Sequence, residues 1–357
     1  MAEEKQTISP ALSGAPHIRS DQSVAFIMWV VVLALAPAAA YSVFLFGTHA
    51  LLVMLCSVGA AVAAEAAYRY ALRKNFASLD GSAAITGLLL AMCMPPQAPV
   101  WLAVTGSVFA VIVAKQVFGG LGFNIFNPAL AGRVFLLGVW PVYMTASWHS
   151  FGDGNVLADG VMNAAGLSGE AFDAITMATP LAALKEMPGV FTGMNVPLDG
   201  LYATLFSNDM LLSQFLGNTG GCIGETSAVL LLAGGLFLLY KRIITWHIPF
   251  AFIATVAAFM GIYFAAGAFP YVGRAVLYHL LSGGLFLGAI FMATDTVTSP
   301  ITAKGKVLMG IGCGVITCVI RLWSGFPEGV SFSILAMNAL VPLIDRYTRP
   351  RVFGTSK

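Results

Sequence analysis

Charged residues are scarce in this sequence. Asp, Glu, Lys and Arg make up 10% of its 357 residues, where a soluble protein carries roughly 25%. Hydrophobic residues reach 58%, and the mean hydropathy is +0.85. A water-solvated fold cannot hide that much apolar surface, so lipid is the solvent for most of the chain. The net charge of +2 excludes a nucleic-acid binder, which needs a basic face. Cysteine pairs are lacking as well. Cys56, Cys93, Cys222, Cys313 and Cys318 stand singly in apolar stretches, a spacing unsuited to zinc or an iron–sulfur cluster, and they read as small buried hydrophobes. His17, His49, His149, His247 and His279 are not at metal-ligand spacing, and no nucleophile triad, P-loop or dinucleotide fingerprint occurs. An acid–base active site within this chain is therefore not expected. The polar stretch Met1 to Asp21 has no apolar core of the kind a cleaved signal peptide needs.

What the chain has is long apolar runs. About 20 residues cross the hydrocarbon layer as a helix. On that ruler ten spans are predicted, near 24–46, 48–68, 82–98, 100–118, 124–146, 222–240, 244–266, 276–294, 306–322 and 328–344. Residues 81–114 hold no charge but contain Pro95, Pro96 and Pro99, so two helices meet there at a proline turn. Lys and Arg set the orientation: fourteen fall on the side of the N-terminus, three on the other, and Arg133 lies within the fifth span. Both termini are predicted to be cytoplasmic.

The expected architecture is all-α and polytopic, in five parts. A cytoplasmic tail (1–23) precedes a five-helix unit (24–146), an extracytoplasmic loop (147–221), a second five-helix unit (222–344) and a cytoplasmic tail (345–357). The loop carries seven acids and one Lys, with apolar patches at Ala171–Leu184 and Leu201–Phe206. Thr86–Met92 aligns with Gly283–Ala289, and Ala129–Ala131 with Ile334–Ala336. Five spans have odd parity, so a repeat of that unit sits upside down in the membrane, as in many transport folds. Chance similarity between Leu/Gly/Ala-rich helices is the alternative.

Several residues could carry chemistry. The clusters Gly119-Gly-Leu-Gly122, Gly220-Gly221 with Gly224, and Gly283-Gly284 either let helices approach closely or let a flat ligand such as a flavin lie against backbone. Asn124-Ile-Phe-Asn-Pro-Ala129 reads as a helix start with Asn127 as cap and Pro128 in the first turn. Its two amides could equally hold a cofactor or ion. Arg133, deep in its span, needs a partner, and Glu225 is predicted at similar depth. Asp295, Glu65 and Glu328 lie near span ends, where interfacial solvation is expected. In the outer loop, Asp173-Ala-Ile-Thr-Met-Ala-Thr-Pro-Leu181 is a hydroxyl-rich turn stopped by Pro180. It presents Thr176 and Thr179, and physically it reads as an ordinary capped loop helix.

Beyond these readings, the sequence resembles a known family along nearly its whole length: the D subunits of Rnf electron-transport complexes, related to the B subunits of sodium-pumping NADH:quinone reductases. The likeness runs through Asp80-Gly-Ser-Ala, Phe126-Asn-Pro-Ala, Trp140-Pro-Val-Tyr-Met-Thr145, Asp173–Leu181, Asp295-Thr-Val-Thr-Ser-Pro300 and the tail from Asp345 to Gly354. The resemblance implies a membrane flavoprotein subunit of a translocase that couples ferredoxin and NAD redox chemistry to Na⁺ or H⁺ movement. By the same likeness Thr176-Met-Ala-Thr179 is the flavin attachment motif, with Met177 in place of the usual glycine. Thr179 would be esterified to the phosphate of FMN, with Thr176, Asp173 and Pro180 beside it. A second, noncovalent flavin such as riboflavin is expected near Asn124, Asn127, Gly283 and Gly284. The implied partners are the A, B, C, E and G subunits of an Rnf complex, above all the periplasmic G flavoprotein facing the acidic loop. The implied location is a bacterial inner membrane with the flavin loop periplasmic. The rival reading is a standalone channel or secondary transporter for a small solute on the same helices.

Overall fold

The computed structural model describes residues 23–73, 80–145, 179–193, 198–225 and 227–349. Asp173 and Thr176 lie outside the described residues. Two long helices open the chain, α1 (Val24–Phe46) and α2 (Thr48–Ala71). Ser23 caps α1 by accepting the Phe26 N–H at 3.1 Å, and Gly47, at φ 80°, turns the chain between the two helices. Helices α3 (Ser82–Met92) and α4 (Val100–Gln116) flank the proline turn, and α5 (Pro128–Val139) and the short α6 (Pro141–Thr145) follow. The central segment contributes α7 (Pro180–Gly193), α8 (Leu198–Leu205) and α9 (Asn208–Leu216). The second half holds α10 (Ala228–Tyr240), α11 (His247–Ala266), α12 (Val272–Leu281), α13 (Leu285–Met292), α14 (Ala303–Trp323) and α15 (Val330–Tyr347).

Among the described residues, four helices are long and apolar enough to cross a membrane: α1, α2, α11 and α14. The pair α12 and α13, bent by 60°, makes a fifth. Large apolar side chains such as Leu33, Phe44, Leu55, Phe250 and Ile262 lie exposed on these helices, which identifies lipid as their surroundings and the chain as a multi-pass membrane protein. Every stretch predicted to span carries a helix, but several are shorter than predicted. Helix α3, predicted to run to residue 98, stops at Met92 and rises only about 16 Å, against a hydrocarbon layer of about 30 Å. The prolines are the cause, since a residue preceding proline leaves the helical region.

Broken helices expose backbone polar groups that lipid cannot satisfy, and here the breaks satisfy one another. The Ile223 N–H donates to the Met94 carbonyl at 2.9 Å, and His49 Nδ1 meets the Pro96 carbonyl at 2.9 Å. Met94 and Ala98 are fully buried. On the other side of the core, Asn127 Nδ2 donates to the Met292 carbonyl at 3.1 Å. Two π turns, Ile112–Gln116 ending α4 and Gly288–Met292 in α13, sit next to these breaks. Turns of this kind recur at functional sites.

The halves interlock where α1 packs on α10 and α5 packs on α15. In the second half α11 and α14 run together along their length. A methyl group built on Gly310 would lie 2.7 Å from Ala251 Cβ, and one on Gly314 would lie 2.6 Å from Thr255 Cβ. The Gly-x-x-x-Gly pair is therefore the contact surface of α14, a packing mode that membranes favour because apolar side chains gain nothing by leaving lipid.

Candidate functional site

Thr179 is buried and precedes α7. Its Oγ1 accepts the Ala182 N–H at 3.2 Å, and its carbonyl accepts from Ala183 at 2.8 Å. Thr179 therefore caps α7, with Pro180 in the first helical position, where its missing N–H costs nothing. Tyr278, fully buried on α12, donates its hydroxyl to the Pro180 carbonyl at 2.5 Å and so fixes the start of α7.

Beside α7 opens a cleft of about 990 Å³, near the upper end of the range for ligand sites. Its walls are rich in aromatic residues, with Tyr202, Phe206, Tyr263 and Trp323 contributing rings, and Leu181 brings the Thr179 segment to its edge. Three basic side chains also line it: Lys185, His279 and Arg321. Lys185 is tied to the carbonyls of Ser324 and Phe326 (2.9 Å to the latter), and desolvation holds its ammonium below the ordinary lysine range, with Glu186 opposing. Arg321 gives its guanidinium to the carbonyls of His279 and Ser282 (2.9 Å to the latter). An aromatic cleft with a few convergent polar groups fits an isoalloxazine. A phosphate at the N-terminus of α7 would meet the partial positive charge of that helix.

Gly283 and Gly284, at φ 70° and 62°, make the break between α12 and α13. A Cβ on Gly283 would lie 2.8 Å from Arg321 Nη2, and one on Gly284 would lie 3.7 Å from Glu225 Oε1. The pair therefore stands between the cleft and a charged cluster. The predicted grouping of these glycines with Asn124 and Asn127 is corrected, because the two asparagines line a separate crevice.

Arg133 is the cation of the charged cluster. Its ion-pair partner is Glu328, with further hydrogen bonds to Ser331 Oγ at 3.0 Å and Cys222 Sγ at 3.6 Å. Glu225 is present too, since ligand atoms of Cys222, Glu225 and Glu328 all lie within 4.8 Å of one another. The expected Arg133–Glu225 ion pair is thus corrected to Arg133–Glu328, with Glu225 alongside. The reason is azimuth: depth along a helix fixes height, whereas α15 brings Glu328 around from the far end of the sequence.

The asparagine crevice is lined by Asn124, Asn127, Ser82, Lys115 and Asp295. Asn127 caps α5 as predicted, its Oδ1 accepting from Ala129 (3.1 Å) and Leu130 (3.3 Å). Asn338, with its amide oriented to satisfy both ends, donates to the Thr298 carbonyl and accepts from the Asn127 N–H, each at 3.1 Å. Asn124 Oδ1 is buried with no partner among the described residues. The expected solvation of Glu65 is overturned. Glu65 is 5% exposed and receives Arg69 (2.6 Å), Lys115 (3.1 Å) and Gln116 (2.9 Å). Asp295 is also drawn inward, where Val297 N–H and Thr298 Oγ1 donate to it.

Sequence reasoning passed over His279, Arg321, Lys115 and Glu328 as site residues. A lone basic residue inside an apolar span is the signal that could have found Arg321 and Lys115.

Comparison with known proteins comes down on the same family as the motifs. The model of the NQR2, RnfD, RnfE family matches residues 11–354. The D subunit of a proton-translocating ferredoxin:NAD(+) oxidoreductase complex from Clostridium ljungdahlii is 45% identical over 352 residues, 97% of this chain and 96% of that protein. The D subunit of the Na(+)-translocating ferredoxin:NAD(+) oxidoreductase complex of Acetobacterium woodii is 43% identical over 354 residues, with the same coverage. The D subunit of an ion-translocating oxidoreductase complex from Stutzerimonas stutzeri is 45% identical over 336 residues, 93% of this chain and 92% of that protein.

Proposed function

The chain belongs to the NQR2, RnfD, RnfE family, and from that premise we propose that it is the D subunit of an ion-translocating ferredoxin:NAD⁺ oxidoreductase complex. The observation that carries this is end-to-end similarity to D subunits of such complexes. As a translocase subunit it needs no acid–base centre of its own. Its part is to hold a redox ring in the membrane and to line a path for ions.

FMN is joined to Thr179 through its phosphate. The capped start of α7, the adjoining aromatic cleft and the family motif Thr176–Thr179 support this attachment. When bound, the flavin supplies the electron chemistry, and this chain supplies position, shelter from water and electrostatics. The Lys and Arg asymmetry supports cytoplasmic termini and a periplasmic Thr179 segment in a bacterial inner membrane. The paired helix breaks support ten spans in two inverted five-helix units. The crevice with Asn124, Asn127, Lys115 and Asp295 is suited to a second, noncovalent flavin or to Na⁺ or H⁺ in transit. The A, B, C, E and G subunits of the complex are the partners, and the acidic loop is the docking face for the G flavoprotein.

The test is a denaturing gel viewed under ultraviolet light, using protein from a host that contains the flavin transferase. Wild type and Thr176→Val should give a fluorescent band, and Thr179→Val should not. A dark wild-type band would remove the covalent flavin, and a bright Thr179→Val band would move it to another residue.

A further inference from the structure

The most conspicuous unexplained group in the molecule is His279. It is 3% exposed, it lies in the wall of the aromatic cleft, and neither of its ring nitrogens has a hydrogen-bond partner among the described residues. Its ring stands 5.6 Å from that of Phe264. Next to it Arg321, 5% exposed, uses its two terminal nitrogens on carbonyls and leaves Nε without a partner among the described residues. Buried polar atoms are almost always paired. Three orphaned nitrogens beside one cavity therefore point to a ligand that offers polar atoms at that end and a flat apolar body elsewhere.

We propose that His279 and Arg321 seat the pyrimidine end of the isoalloxazine carried by Thr179, and that Arg321 thereby sets its reduction potential. The inference rests on the covalent-flavin reading above. Continuity of the chain supports this occupant. Thr179 lies two residues before Leu181 at the cleft edge, and Tyr278, which holds the Pro180 carbonyl, is the neighbour of His279. The pyrimidine edge of the ring offers acceptors at N1, O2 and O4 and a donor at N3. An imidazole with both nitrogens free can serve either kind, while the dimethylbenzene end suits the aromatic walls. Two electrons and one proton convert the oxidised ring to an anion, with the proton at N5 and the charge spread over N1 and O2. The electrons come from the donor side of the complex. A guanidinium beside that locus favours the reduced ring, because it is already in place when the charge arrives.

The experiment uses the whole complex purified from its native host, with two readouts. In-gel fluorescence reports attachment, and spectroelectrochemistry reports the midpoint potential of the attached flavin. Arg321→Gln should keep the fluorescent band and weaken the preference for the reduced ring about a hundredfold, or about 59 mV for a two-electron couple. Arg321→Lys, which keeps the charge, should return to within about tenfold of wild type, or about 30 mV. His279→Leu should shift the potential and His279→Gln should restore it. If Arg321→Gln does not accumulate, the His279 pair decides the matter alone. A bright band with an unmoved potential in Arg321→Gln or, failing that variant, in His279→Leu would overturn the seat and leave the covalent flavin standing. The seat also falls if a lipid or quinone is found filling the cleft. A dark wild-type band would instead overturn the attachment on which the seat depends.

Discussion

Replacing Glu65 by Gln removes one charge and almost no volume, so it isolates the electrostatics of the buried network at the end of α4. In the native chain one carboxylate serves three donors: Arg69 at 2.6 Å, Lys115 at 3.1 Å and Gln116 at 2.9 Å. Lys115 is 1% exposed, and its other hydrogen bond goes to Ser82 Oγ at 2.6 Å. In Glu65→Gln that ammonium stays buried with a hydroxyl and the more distant Asp295. Stripping the partner from a buried charge costs about 3–5 kcal/mol. Arg69, 18% exposed at its side chain, can turn to solvent, which puts the expected loss near the lower bound, roughly a hundredfold in the folded-to-unfolded ratio. Lys115→Met leaves Glu65 with two of its three donors and should cost about 1–2 kcal/mol. The double variant removes the stranded charge, so its loss should fall short of the sum of the two single losses by about 2 kcal/mol. A denaturant titration of the lipid-reconstituted chain measures all four corners of the cycle. Additive losses, or a Glu65→Gln loss within about 0.5 kcal/mol as at an open surface, would refute the reasoning.

In the charged cluster, Arg133→Met should destabilise more than Glu328→Gln in the same titration, because Glu225 remains beside Arg133 when Glu328 is neutralised, whereas loss of Arg133 leaves two carboxylates facing each other. Gly314→Leu should cost about 1–3 kcal/mol by overpacking α11 against α14, and a distance between spin labels on those helices should lengthen. Thiol counting with a maleimide should find at most Cys56 reactive in the native chain, since the other four cysteines are buried, and all five after denaturation.

Much of the fold was legible because lipid imposes a simple rule: the stretches 24–46 and 48–68 read as spans from hydropathy alone and are helices α1 and α2. Asn127 followed by Pro128 announced the start of α5, since capping is local chemistry. The helix breaks were legible only in part. Prolines marked the turn after Met92, but the π turns at Ile112–Gln116 and Gly288–Met292 carry no residue signature. Partners in the charged clusters were the least legible. Lys115 finds Glu65, fifty positions away, and Arg133 finds Glu328. Helix azimuth and packing decide such meetings, and hydropathy is blind to both. Thr179 stood out through family resemblance, whereas nothing in the neighbouring sequence distinguishes that hydroxyl from any other helix cap.

The hydrogen bond from Ile223 to Met94 has a bearing on how the protein is made. Ribosomes deliver the amino half first, so the carbonyl at Met94 enters the bilayer while its donor is still untranslated. Until the carboxyl half arrives, that hairpin must linger at the lipid boundary, in a water-filled defect or in the care of an insertase. Truncation after the first five helices should therefore yield an intermediate prone to quality-control proteolysis, and co-expression of the missing half as a separate polypeptide should rescue it.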